Sequence, residues 1–277
     1  MSQERLNQLL DSWISGGREA MVEVFSDTND GSFLMRPDLK MRDCGCPASY
    51  TTGLWCKNLV MMRAWKTEAR YKDVKWFYRA IDDTFIHLEN LMWLTKQYDH
   101  NQSILIGEKV CYWTGVEYPD GGPGFVMSRK FVDMWSEELW NMTLATHEGE
   151  TIDDLMWGQL LDRMRMPMTH YPGIRHSELL DTSGIYQYFM KHANGPWPLK
   201  FRPVAYHQGI AGGMEFLPQL TYDLHQIAYD NVHPGAVDAA PCGCGRRKIK
   251  HGRCSYEPNY LRSDYGEMTD LGPGPWL

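Results

Sequence analysis

The sequence predicts an α/β fold in which a mostly parallel central sheet is flanked by helices on both faces. Short apolar runs of strand length alternate with amphipathic segments of helical length along most of the 277 residues. This alternation is typical of parallel strands joined by helical crossovers, which cover both faces of the sheet. The composition fits one large globular domain, because 43% of the residues are hydrophobic and 23% are charged.

Apolar periodicity and turn residues place the predicted elements. The first helix carries one apolar face at helical spacing, formed by Leu6, Leu9, Leu10, Trp13 and Ile14. The second helix is expected to turn four residues inward: Leu54, Leu59, Met62 and Trp65. Strands are predicted at residues 21–25, 74–81 and 104–106, and helices at residues 3–15, 55–70, 88–98, 129–140 and 151–164.

The periodicity weakens near residue 233. We therefore predict a main domain at residues 1–233 and a tail rich in Cys, Gly and Pro at residues 234–277 that adds no core element. The formal net charge of −7 argues against a nucleic-acid partner, because no basic stripe is present to neutralise phosphates. No segment reaches the roughly 20 apolar residues that span a bilayer, and no signal peptide is visible.

Two features nevertheless indicate the secretory pathway. The triplets that begin at Asn101 and Asn141 are N-glycosylation acceptor patterns. The cysteines fall mainly into one group near the start and one near the end, which favours disulfides that pin loops in an oxidising compartment. The alternative is a zinc site whose spacing fits no common pattern, formed by Cys242, Cys244, His251 and Cys254.

Two loop patterns are candidates for ligand binding. Asp82 and Asp83 follow a predicted buried strand, where α/β sheets bind ligands, and their oxygens suit Mg²⁺ or Mn²⁺ bridging a diphosphate. The alternative is that they cap a helix. The GGPG segment at residues 121–124 either allows a ligand to approach the backbone closely or forms a plain tight turn.

Two further patterns are candidates for catalysis and metal binding. Asp153 and Asp154 lie in the first turn of a predicted helix, where the helix dipole favours acids. Alternatively, one of them is a general base that deprotonates a hydroxyl group. His207 ends an apolar, strand-like run and is structural unless Asp83 lies close to it, in which case it is a candidate metal ligand.

Seven motifs occur in a fixed order over residues 5–220. They are LLDSWI at 9–14, FSD at 25–27, WCK at 55–57, WFYRAIDDTFI at 76–86, GE at 107–108 with GGPGFVMSR at 121–129, IDDLMWG at 152–158, and VAYH at 204–207. In this order they resemble the Fringe and core-1 β1,3-galactosyltransferase family of glycosyltransferases. The resemblance implies a GT-A type nucleotide-sugar transferase fold, with residues 1–233 as the catalytic domain.

The resemblance also implies roles for individual residues. Asp83 and His207 correspond to the protein ligands of Mn²⁺ (or Mg²⁺), and Asp82 lies near the ribose and diphosphate of a UDP-sugar donor. Asp154 is the implied catalytic base, with Asp153 as the second candidate. Four more residues are implied to line the donor site: Lys57, Gly121, Gly122 and Gly124. Stacking on sugars is a further expectation for Tyr112, Trp113 or Trp157.

The implied function is an inverting β1,3-glycosyltransferase of the Golgi or secretory lumen. It would move a hexose or N-acetylhexosamine from the UDP-sugar to a hydroxyl of a glycan or glycoprotein. The alternative is an inactive relative that acts as a chaperone or glycan-binding protein, because Ile81 replaces the first acid of the family's metal strand. The chain begins at the opening helix, so we expect the first strand of the sheet and any membrane anchor upstream of residue 1.

Overall fold

The computed structural model describes most of the first 176 residues and several short later segments. The described residues are 7, 9–10, 12–14, 21–27, 39–49, 51–112, 116–145, 153–171, 173–176, 202, 204–207 and 253–255. The helices are α1 (Thr52–Thr67), α2 (Leu88–Thr95), α3 (Arg129–Met134), α4 (Glu137–Ala145) and α5 (Asp153–Arg163), with a 3-10 turn at Ala69–Tyr71. The strands are β1 (Glu23–Ser26), β2 (Lys40–Asp43), β3 (Trp76–Arg79), β4 (Thr84–Ile86), β5 (Leu105–Gly107), β6 (Lys109–Tyr112), β7 (Glu117–Pro119), β8 (Phe125–Ser128), β9 (Thr169–His170), β10 (Ile174–His176), β11 (Ala205–His207) and β12 (Arg253–Ser255).

A four-stranded sheet with the order β3-β8-β5-β9 lies at the centre of the described domain. β8 is antiparallel to both of its neighbours, and only the β5–β9 pair is parallel. The prediction of a mostly parallel sheet is therefore wrong for these pairs, and the sheet is mixed. After β5, the antiparallel β6–β7 hairpin brings the chain back to the C-terminal end of β5. β8 therefore enters the sheet in the direction opposite to β5, without a helical crossover.

Apolar side chains bury both faces of this sheet. Successive residues along β5 and β8 point to opposite faces, so Ile106 and Val126 join one apolar cluster while Leu105 and Met127 join another. The first cluster includes α2 and the predicted inner face of the opening helix at Leu9, Leu10, Trp13 and Ile14. The second is formed largely by α1, α3, α4 and α5. The prediction of an α/β domain with helices on both faces is confirmed.

Two of the predicted elements have different bounds in the structure. The strand predicted at residues 74–81 is shorter, at Trp76–Arg79, and after a turn at Asp82 and Asp83 the chain forms a further, unpredicted strand, β4, in a different sheet, ordered β10-β11-β4. The helix predicted at residues 129–140 is α3 followed by α4. The hydroxyl of Ser136 accepts a hydrogen bond from the backbone N–H of Leu139 at 3.2 Å and so starts the second helix.

Residues 253–255 of the predicted tail form β12, which pairs antiparallel with β6. The tail thus adds a strand that was not expected from its sparse periodicity. Cys242, Cys244 and His251 of the zinc alternative lie outside the described residues. A disulfide joins Cys46 in the loop before α1 to Cys56 within α1, as expected for cysteines that pin loops.

None of the helices in the described part of the chain combines the length and apolarity needed to cross a bilayer.

The contact of α5 with β7 depends on Gly158. A Cβ atom on Gly158 would lie 2.5 Å from Cβ of Tyr118 and 2.6 Å from the carbonyl oxygen of Glu117. These atoms belong to a buried strand and cannot move away without shifting its backbone. We expect Gly158→Ala to lower the free energy of unfolding by about 1–3 kcal/mol through overpacking, despite the better helix propensity of alanine.

Urea denaturation of Gly158→Ala tests this expectation. Gln159→Ala, one position further along α5, is the matched control and should leave the urea midpoint nearly unchanged. Equal midpoints for the two variants would show that α5 does not pack on β7 at Gly158.

Candidate active site

Asp83 and His207 meet at one end of the β4–β11 pair. The antiparallel register places His207 opposite Thr84, which is the residue after Asp83. The Nε2 atom of His207 lies 3.2 Å from Oδ1 of Asp83, and both side chains are largely buried, at 14% and 8% exposure. The sequence made His207 a metal-ligand candidate only if Asp83 lay close to it, and the structure meets that condition.

The donor atoms of this pair suit the predicted cation. A carboxylate oxygen and an imidazole nitrogen both bind Mn²⁺. Within the described ranges, no group of three His, Cys, Asp or Glu side chains is placed to hold a metal ion by itself. A small donor set of this kind fits a cation whose other positions are taken by substrate phosphates and water.

Asp153 belongs to a buried ion-pair network. Its Oδ2 atom accepts hydrogen bonds from Nη2 of Arg79 and, at 2.9 Å, from Nδ2 of Asn58. Arg79 also donates from Nη1 to the carbonyl oxygen of Gly121 at 2.6 Å. Without this carboxylate the buried guanidinium would have no anionic partner. Asp153 therefore attaches α5 to β3, and Asp154 is the better candidate base.

Asp154 lies against the glycine loop (residues 121–124). A Cβ atom on Gly121 would overlap Oδ1 of Asp154. Burial raises the pKa of Asp154 well above its ordinary value, and the charges of Asp153 and Asp120 raise it further, whereas Arg79 opposes the shift. A carboxylate with a raised pKa is a stronger base and thus better suited to accept a proton near neutral pH.

The glycine loop also lies against the histidine pair. A Cβ atom on Gly122 would lie 2.7 Å from Nδ1 of His207 and 2.9 Å from Nδ1 of His176. Gly124 has φ +81°, which favours glycine. The loop thus forms the tight turn that was one of its two interpretations, and its consecutive glycines let the candidate base and the candidate metal ligand approach one short segment.

Hydrogen bonds from the neighbouring strands hold the loop in place. The hydroxyl of Thr84 donates to the carbonyl oxygen of Gly122 at 2.7 Å, and the hydroxyl of Tyr78 donates to that of Pro123 at 2.6 Å. Together with the bond from Arg79 to Gly121, they fix the loop to β3 and β4.

The other two candidates, Lys57 and Asp82, lie on different elements. The Nζ atom of Lys57 donates to Oδ2 of Asp27 at 3.2 Å, which joins α1 to the end of β1. Burial raises the pKa of Asp27, but the hydrogen bond and charge of Lys57, together with a backbone hydrogen bond, leave that pKa below its ordinary value. Asp82 is partly exposed in the turn that precedes β4.

The same motifs can be compared with known protein families. A family model described as Fringe-like matches residues 1–193, which is more than half of the 277 residues. The chain belongs to the Fringe-like family. The family resemblance predicted from the order of the motifs is confirmed.

Individual relatives match this Fringe-like chain at low sequence identity and over part of its length. It is 24% identical over 198 residues to "Beta-1,3-N-acetylglucosaminyltransferase radical fringe" of Notophthalmus viridescens, covering 63% of this chain and 48% of the relative. It is 30% identical over 80 residues to "Glycoprotein-N-acetylgalactosamine 3-beta-galactosyltransferase 1" of Xenopus laevis, covering 27% and 22%. It is 24% identical over 181 residues to "Beta-1,3-glucosyltransferase" of Homo sapiens, covering 64% and 34%. The chain spans less than half the length of each of these relatives.

The prediction that Trp157 stacks on a sugar is wrong for this Fringe-like chain. Trp157 is fully buried in the second apolar cluster, and its ring centroid lies 5.1 Å from that of Phe125 and 5.2 Å from that of Trp140. It lies on the core face of α5 together with Leu160 and Leu161. Trp113 and the side chain of Tyr112 lie outside the described part of the molecule.

Four residues of the site in this Fringe-like chain were not predicted: Asn58, Arg79, Asp120 and His176. A charged residue inside an apolar strand was the available signal for Arg79, since an arginine there requires a buried partner. Asp120 directly precedes the glycine loop, but its position became meaningful only with the loop's geometry. No local pattern marked Asn58 or His176.

Proposed function

We propose that this Fringe-like chain carries an inverting β1,3-glycosyltransferase that uses a UDP-sugar donor. The acceptor would be a hydroxyl group of a glycan or glycoprotein. The contact of 3.2 Å between Asp83 and His207, beside a glycine loop that also contacts Asp154, carries this proposal. The relatives' names support the β1,3 linkage and leave galactose, N-acetylglucosamine and glucose as candidate donor sugars.

Each group of the site has a distinct proposed task. Asp83 and His207 would hold Mn²⁺, which when bound offsets the negative charge of a leaving diphosphate. Asp154 would accept the proton of the acceptor hydroxyl as that hydroxyl attacks the anomeric carbon from the side opposite the UDP. Arg79 holds Asp153 and thereby fixes the first turn of α5, which carries Asp154.

Fewer contacts in the structure bear on the donor side of the proposed site than on the metal pair and the base. Asp82 would lie near the ribose and diphosphate, and Lys57 would contribute positive charge once it exchanges Asp27 for a phosphate. Gly121 and Gly122 would shape the donor pocket because their missing side chains let Asp154 and the two histidines pack against the loop, and Gly124 would hold the turn at its positive φ.

Binding of UDP with Mn²⁺ tests the metal pair directly. We expect UDP plus Mn²⁺ to raise the melting temperature more than UDP alone, since a ligand at 100 times its Kd stabilises the folded state by about 2.7 kcal/mol. Asp83→Asn and His207→Gln should greatly reduce the additional increase, because the first removes the carboxylate charge and the second replaces the imidazole nitrogen with an amide. EDTA should abolish release of UDP from UDP-galactose, UDP-N-acetylglucosamine or UDP-glucose in the presence of a suitable acceptor.

Asp73→Asn is the matched control, because Asp73 is exposed and precedes β3, whereas Asp83 follows it. It should retain the full response to Mn²⁺. An unchanged Mn²⁺ response in both Asp83→Asn and His207→Gln would contradict the proposed metal site. Binding of UDP and Mn²⁺ without transfer from any of the three donors would instead favour the inactive relative.

We also propose the secretory lumen as the compartment of this chain. The disulfide between Cys46 and Cys56 supports this proposal, because disulfides persist in oxidising compartments. Asn101, the first residue of one glycosylation pattern, is exposed in the loop before β5.

A further inference from the structure

His207 is the first member of a hydrogen-bonded chain that leads away from Asp83. The parallel pairing of β10 and β11 places His176 directly opposite His207. The Nδ1 atom of His207 lies 3.2 Å from Nε2 of His176, and Nδ1 of His176 lies 3.0 Å from Oδ1 of Asp120. The two rings meet edge to face, with centroids 4.4 Å apart and an interplanar angle of 67°.

These contacts select one proton arrangement when a cation is bound to Nε2 of His207. The metal-binding nitrogen must present its lone pair, so the proton of neutral His207 lies on Nδ1. That N–H then donates to Nε2 of His176, which places the proton of neutral His176 on its own Nδ1. This second N–H donates to the carboxylate of Asp120. Each ring thus donates once and accepts or ligates once, and no polar ring atom is left without a role.

Asp120 is the last member of this hydrogen-bonded series, and further hydrogen bonds hold it in place. It is 5% exposed, and its Oδ1 atom also accepts the backbone N–H of Gly122 at 3.0 Å. Its own backbone N–H donates to the carbonyl oxygen of Glu108 at 2.9 Å. The carboxylate of Glu108 accepts the backbone N–H of His176. Asp120 and His176 are therefore both attached to the segment that follows β5.

We propose that Asp120 and His176 are positioning residues that fix the ring orientation and tautomer of His207 for binding of the cation. Ligating histidines commonly donate their second N–H to a carboxylate, a carbonyl oxygen or water, and loss of that partner typically weakens metal binding 10- to 100-fold. Here a second imidazole extends the connection to the carboxylate. The inference rests on the proposed function, because it requires a cation at Asp83 and His207.

The relay formed by His207, His176 and Asp120 is tested by the affinity of the full chain for Mn²⁺ in the presence of UDP. Electron paramagnetic resonance of the free ion measures this affinity. We expect His176→Phe and Asp120→Ala to weaken Mn²⁺ binding about 10- to 100-fold. Asp120→Asn should stay within about threefold of the wild type, because its amide oxygen can still accept from His176 and Gly122. If His176→Phe does not fold, His176→Gln replaces it, with an expected affinity between those of the wild type and Asp120→Ala.

His87→Phe is the matched control for loss of a buried histidine. His87 is 4% exposed, and its Nδ1 accepts the backbone N–H of Asn90 at the start of α2. This variant should lower the melting temperature without changing Mn²⁺ affinity. Wild-type affinity in folded His176→Phe and Asp120→Ala would overturn the relay and leave the metal site in place. Absence of Mn²⁺ binding by the wild-type chain would overturn the metal site and the relay together.

Discussion

Asp154→Asn should lower transfer by about 10²- to 10⁴-fold, the usual contribution of a general base, and should also make the chain more stable at neutral pH. The asparagine keeps the shape of the side chain and can still accept a hydrogen bond from the loop, but it cannot take up the proton of the acceptor hydroxyl. The gain in stability follows from the same environment, since burial and the charges of Asp153 and Asp120 act against the ionised form of Asp154.

The sign of the stability effect depends on pH. The pKa of Asp154 is raised in the folded state, so the folded chain holds this proton more tightly than the unfolded chain. The stabilisation is complete below the unfolded pKa of about 3.9 and is lost as pH rises through the folded pKa. Asparagine cannot ionise and avoids that loss. The melting temperature of Asp154→Asn should therefore exceed that of the wild type by an amount that grows with pH, with about 2–4 °C for each kcal/mol.

Two measurements on purified variants check this prediction. Melting curves in EDTA at acidic and neutral pH give the stability difference, and release of UDP with Mn²⁺ and acceptor present gives the rate. Asp162→Asn is the matched control, because Asp162 is exposed on the same helix. It should change neither quantity. Wild-type transfer by Asp154→Asn would show that another group is the base, and a lower melting temperature at neutral pH would contradict the unfavourable burial of its charge.

Arg79→Met should lower the free energy of unfolding by about 3–5 kcal/mol, because it leaves the buried carboxylate of Asp153 without its cation. Methionine is similar in length and keeps most of the apolar contact, so the loss reports the charge and its hydrogen bonds. Those bonds reach Asp153, Asn58 and the carbonyl oxygen of Gly121. Transfer should fall as well, since the first turn of α5 and the glycine loop both lose their attachment to β3.

Arg63→Met is the control for this change. Arg63 also pairs with a carboxylate, that of Glu137 at 2.6 Å, but the two side chains are 50% and 46% exposed. An exposed pair typically contributes about 0–1 kcal/mol, so this variant should be nearly as stable as the wild type. Urea denaturation of both variants provides the comparison. Equal losses of unfolding free energy would show that burial does not set the strength of the Arg79 pair.

The double variant Arg79→Met with Asp153→Leu should recover part of the lost free energy of unfolding, because it removes both charges of the buried pair.

The direction of β8 and the unpredicted strand β4 show where sequence-based prediction reached its limit. Apolar runs identify strands, but they do not say which neighbour a strand pairs with. The β6–β7 hairpin reversed β8, and the turn at Asp82 and Asp83 moved β4 into a different sheet. The placement of β4 depends on hydrogen bonds to β11, a segment that is distant in the chain.

The sequence by itself determined the α/β class, the apolar face of the opening helix, the membership in the Fringe-like family and the candidates Asp83, Asp154 and His207. These features are encoded by spacing within short segments and by the order of those segments. Only the tertiary structure paired Asp153 with Arg79, buried Trp157 in the core, and linked His207 through His176 to Asp120. Such distinctions depend on which distant side chain supplies the partner for a buried polar group, and local sequence does not record that choice.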